Sequence, residues 1–78
     1  MKTTHKKTKY MVFNYTDNIF ASNIIFTSLK EANLFIDEFR EKFKLHQGYY
    51  FTNNRERISP EEIDLLAIPH NFNPYKMN

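Results

Sequence analysis

The chain has 78 residues, with eight Phe and five Tyr but a single Gly and no Cys, and a formal net charge of +2. That length allows one domain, which buries only about 60% of the surface its unfolded chain exposes. Without cysteine there is neither a disulfide framework nor a thiolate metal site, so stability must come from a dense aromatic core or from self-association.

The charge is unevenly spread. Lys2, Lys6, Lys7 and Lys9 stand in the first nine residues with no acid, while the other 69 residues carry seven Lys/Arg against nine Asp/Glu, a body of −2. Residues 1–8 read as a flexible basic arm that aids solubility. A nucleic-acid-binding domain shows instead a strongly basic face. The apolar run Tyr10-Met11-Val12-Phe13 breaks at Asn14, too short for the core of a secretory signal, and no stretch approaches a membrane span. The cytoplasm is the expected compartment, for a bacterium's own protein as for a phage or plasmid product.

Residues 9–69 read as one α+β domain. Lys9 to Tyr15 alternates as a strand, with Met11, Phe13 and Tyr15 on one face and Tyr10, Val12 and Asn14 on the other. Thr16-Asp17-Asn18 is turn chemistry, and Ile19 to Phe26 supplies the second strand of an antiparallel hairpin. Ser28 then caps a helix. Its side chain is placed to accept from the amide of Glu31, with the Glu31 carboxylate reaching back to the cap amide. Leu29, Ala32, Phe35, Ile36, Phe39 and Phe43 form one apolar stripe at helical spacing. Glu38 and Lys42 are spaced for a surface ion pair, and Gly48 is placed to end the helix. Leu34 falls on the far side of the stripe, either as an ordinary exposed leucine or as an anchor for a contact.

After the helix, Tyr49-Tyr50-Phe51-Thr52 and Arg55-Glu56-Arg57-Ile58 flank Asn53-Asn54, which predicts a hairpin with a two-residue type I′ loop. Ser59-Pro60-Glu61-Glu62 repeats helix-start grammar for a single turn, and Ile63 to Ile68 reads as a last strand stopped by Pro69. Residues 70–78 read as an irregular tail. The order β-β-α-β-β(-β) places one amphipathic helix on one face of an antiparallel sheet and leaves the other face without a cover. Aromatic sheet faces seldom stay solvated, so a homo-oligomer, a dimer or higher, is expected. Phe13, Tyr15, Phe51, Leu34, Phe72 and Tyr75 are the candidate interface residues.

Catalytic constellations are weak. His5, His46 and His70 are far apart without metal-ligand spacing, one glycine makes no phosphate loop, and Ser28 and Ser59 are occupied as caps. Ser22 lies mid-strand with no nucleophile elbow around it. Glu56, Glu61, Glu62 and Asp64 cluster in sequence, but acids in a first helical turn have a structural reason to be there. Arg55 and Arg57, two apart on one strand, share a face there. Beside Tyr49, Tyr50 and Tyr10 they suit an anionic nucleotide, clamped at its phosphate and stacked at its base. The plainer reading is an edge strand defended by charge.

The expected function is therefore a non-enzymatic binding protein with no metal and no cofactor. It would inhibit, sequester or adapt in the manner of phage and mobile-element products. A host protein or a small anionic nucleotide is the expected ligand. The rival is a nucleic-acid accessory protein, its lysine arm on phosphates and Tyr49, Tyr50 or Phe51 stacked on bases. An enzyme acting on a nucleotide survives only if an oligomer assembles a site that no single chain holds.

Overall fold

The computed structural model describes residues 8–76. Apart from Thr8, the basic arm lies outside the described residues. The elements run β1 (Tyr10–Asn14), β2 (Ile19–Phe20), α1 (Leu29–His46), β3 (Tyr50–Phe51), β4 (Arg57–Ile58), a 3-10 turn at Pro60–Glu62, and β5 (Leu65–Pro69). One helix packs with a small antiparallel sheet of order β2-β1-β5, and β3 and β4 pair separately as a second, two-stranded unit. The fold is α+β, in the order expected.

β1 is central because it pairs on both sides. Its register with β5 runs from Tyr10↔Pro69 to Asn14↔Leu65, and its register with β2 sets Phe13 opposite Phe20. The second strand is much shorter than the span Ile19 to Phe26. The Ala21 amide still donates to the Val12 carbonyl at 2.9 Å, but the Ser22 hydroxyl then accepts from the Ile24 amide at 3.2 Å. That local bond competes with the ladder. Pairing resumes only where Phe26 and Tyr10 exchange bonds of 2.7 and 2.8 Å, leaving Ile24 and Ile25 half exposed on a bulge.

The helix forms where its cap and stripe place it. The Ser28 hydroxyl accepts from the Glu31 amide at 3.1 Å. The reciprocal bond is not made: the Glu31 carboxylate takes the Thr27 hydroxyl at 3.2 Å instead. Gly48 adopts φ +84° and donates to the Phe43 carbonyl at 2.8 Å. A side chain there would be strained even though the space around it is open. The expected Glu38–Lys42 pair is also absent. The Lys42 ammonium stands 5.8 and 5.9 Å from the Phe39 and Phe43 ring centres, while Lys44 pairs with Glu61 of the 3-10 turn at 2.5 Å.

The core lies between α1 and the sheet. Val12, Ala32, Ile36, Tyr50, Ile63 and Leu65 are buried there, with Tyr10, Phe26, Phe35, Phe39 and Phe43 packed around them. The opposite sheet face is only partly open, which corrects the expectation of an uncovered face. The tail turns back across it, setting the Tyr75 ring edge-on to Phe13 at 5.3 Å and 6.2 Å from Phe20, beside a Phe13–Tyr15 pair at 4.7 Å. Phe13 is fully buried as a result.

Candidate functional site

The β3–β4 hairpin divides its side chains between two faces. Tyr50 and Ile58 are partners in register and turn inward to the core, while Phe51 and Arg57 are partners on the outward face with Tyr49 two residues before. The loop is not the two-residue turn that Asn53-Asn54 predicts. Thr52 and Glu56 close it with a backbone bond of 2.8 Å, the Thr52 hydroxyl accepts from the Glu56 amide at 3.1 Å, and Arg55 takes the left-handed position at φ +64°. This is a three-residue loop with its positive φ on the last residue. The threonine hydroxyl draws closure one residue further along the chain. Arg55 therefore sits in the loop and does not share a strand face with Arg57.

On the inward face, the buried Tyr50 hydroxyl joins two segments. It accepts from the Asn14 side-chain amide at 3.0 Å and donates to the Asp17 carboxylate. The other Asp17 oxygen takes the Asn53 amide at 2.9 Å, tying the β1–β2 turn to the hairpin loop. Burial, and then the bond to Asp17, pushes the Tyr50 phenol up to about 12. A phenol held protonated in this way is a structural donor, and its ring is not available to stack on a ligand. Tyr10 likewise packs against the core. Tyr50 is thus committed to the core, while Tyr10 stays partly exposed at its margin.

The outward face keeps Tyr49, Phe51 and Arg57. The Arg57 guanidinium lies over the Tyr49 ring at 4.3 Å from its centre, and Phe51 beside it is 54% exposed. A guanidinium stacked on a ring is held in place while its N–H edge stays free to meet a carboxylate. No family model matches the chain, and no curated protein or solved structure matches it either. Its chemistry is read from these surfaces.

Of the expected interface residues, Phe13 has no accessible surface for a partner because Tyr15, Phe20 and Tyr75 enclose it. Tyr15 is half-buried beside it. Phe72 and Tyr75 are half exposed on the tail, and Leu34 is 56% exposed on the solvent side of α1. Leu45, three turns along the same side, is 76% exposed and was not singled out by the sequence.

A cleft of about 400 Å³ opens between α1 and the end of β2, lined by Ala21, Ser22, Phe35, Glu38, Phe39 and Lys42. Among the described residues no group of three His, Cys, Asp or Glu is placed to hold a metal ion, and no helix is long and apolar enough to cross a membrane. Glu61 is tied to the fold. The Lys44 ammonium, and next the Ser59 hydroxyl, hold its carboxyl down at about 2.

Proposed function

We propose that the protein is a non-enzymatic binding protein, working as a homo-oligomer, that captures a partner protein on the outward face of the β3–β4 hairpin. The observation that carries this reading is Arg57 stacked on Tyr49 beside the exposed ring of Phe51. A preorganised cation next to an exposed aromatic suits a partner that presents a carboxylate beside an apolar side chain. Inhibition, sequestration or adaptation of a host protein, as phage and mobile-element products perform it, is the class of activity that fits.

The nucleotide alternative has less support. Of the residues expected to hold a base or phosphate, Tyr50 is buried in the core and Tyr10 packs against it, partly buried. The α1 cleft carries Glu38 near its only cation, Lys42, which disfavours an anion there. The nucleic-acid alternative loses Tyr50 as a stacking ring in the same way.

The test is a comparison of the full chain with the R57A/F51S double variant. Both are captured gently from the expression host, and any partner found is then titrated as a purified protein. The reading expects a partner held in defined stoichiometry by the parent and weakened at least tenfold by the variant. Equal affinity for both would remove the hairpin face from the account.

A further inference from the structure

β5 is an edge strand, and its open side carries an unusual pattern. Antiparallel ladders alternate, so every second residue turns its amide and carbonyl away from the neighbouring strand. The Tyr15 amide donates to the Asp64 carbonyl and the His70 amide to the Lys9 carbonyl, each at 2.8 Å, which fixes the phase of the β1–β5 ladder. In that phase Leu66 and Ile68 bond to β1 while Leu65 and Ala67 present their backbone groups to the open edge. Among the described residues these four groups have no hydrogen-bond partner. At either end the edge is closed. Arg40 donates to the Ile63 carbonyl at 2.8 Å, Pro69 has no N–H, and its carbonyl accepts from the Phe72 amide at 2.9 Å.

We propose that β5 pairs antiparallel with β5 of a second copy about a two-fold axis at Leu66, making one continuous six-stranded sheet. The proposal rests on the homo-oligomer reading above and gives it a geometry. A register centred on Leu66 sets Leu65 opposite Ala67 of the partner copy in both directions, so all four open groups are used at once. A shift by one residue in either direction would bring groups already bonded to β1 against the edge. Leu66 itself is 52% exposed and stands opposite Phe13 on the face away from α1. Across the axis it would meet its own symmetry mate as a close, non-hydrogen-bonded pair.

Several features favour a second copy as the occupant. From Leu65 to Pro69 the edge carries no charged side chain, whereas edges kept apart in solution are defended by lysine, inward charges or bulges. The axis stands perpendicular to the sheet, so both copies of α1 lie on one face. The flank of α1 that reaches toward β5 carries Arg40 and, three residues before it, exposed Asp37, so the axis sets the same pair of opposite charges on each copy toward the other. A ladder this short forms a dimer that responds to concentration.

The test uses the absence of cysteine in the natural chain. L66C places two thiols across the axis, where non-hydrogen-bonded pairs bring Cα atoms to about 4.5 Å, within the range of a disulfide. Mild oxidation is expected to give a covalent dimer in high yield from L66C and not from L34C, whose position lies on the opposite side of α1. In parallel, light scattering of the full-length parent is expected to show a dimer. L66K is expected to be monomeric at the same concentration with an unchanged circular dichroism spectrum, because it sets like charges opposite each other. A67P, which removes one open donor without touching the β1 ladder, is expected to do the same. A monomeric parent overturns both the proposal and the oligomer reading. A parent dimer that persists in L66K and A67P, with no disulfide in L66C, overturns the edge pairing alone. Loss of a bound partner protein from A67P without any change in self-association shows that another protein uses the edge, and also overturns it. R57A is expected to remain dimeric, which separates this test from that of the hairpin face.

Discussion

At the scale of single residues, the polar node of Asn14, Asp17 and Tyr50 is where one atom matters most. Asn14 is 1% exposed, and its side-chain amide donates to the Tyr50 hydroxyl. Y50F keeps the ring and leaves that amide without its acceptor, so a loss of about 1–3 kcal/mol is expected in urea unfolding. The phenol also gives stability a pH dependence of known sign. Its folded pKa is raised from 10.0 to about 12, so the contribution is complete below pH 10 and fades as the pH rises through 12. The parent is expected to lose stability across that window and Y50F to lose less. Arg55 offers a gain. It holds φ +64° with a Cβ that resists it, and R55G is expected to stabilise the chain by up to about 1 kcal/mol, read from the same unfolding curves. A loss on R55G would mean that the Arg55 side chain contributes more than its backbone costs.

At the scale of elements, the outer sheet face shows how the tail stabilises the body. Tyr75 sits edge-on to Phe13 and Phe20 while remaining half exposed itself. Y75A is expected to cost about 0.5–1.5 kcal/mol and to increase binding of an apolar fluorescent dye as Phe13 is uncovered. Unchanged stability and dye binding would show that the tail does not cover the face in solution. What the sequence disclosed of these elements follows from locality. Ser28, the 3.6-residue stripe and Gly48 act within a turn or two of themselves, so α1 was legible almost to the residue. The break in β2 depends on one serine hydroxyl competing with a ladder, and the loop closure depends on one threonine hydroxyl. Neither is visible in alternation or in an Asn-Asn pair. The Lys44–Glu61 pair joins residues distant in sequence, and only the docking of the 3-10 turn against α1 brings them together.

At the scale of the whole molecule, the expected ligand set dissolved for a related reason. Residue type alone groups Arg55, Arg57, Tyr49, Tyr50 and Tyr10, but strand alternation sends Tyr49 and Tyr50 to opposite faces. Tyr50 is the buried one, its ring packed against Phe39 and Phe43 and its hydroxyl bonded to Asn14 and Asp17. The same alternation brings Tyr49, Phe51 and Arg57 together on an exposed face. Leu66 at the β5 edge stays half exposed, and it is there that the proposed second copy would sit.

The most direct test is native mass spectrometry of the full chain purified gently from its expression host. The account predicts a multimer, with a protein partner as reproducible extra mass that R57A sheds while the multimer stays intact. A bare monomer, at the concentrations where the parent is handled, would contradict it.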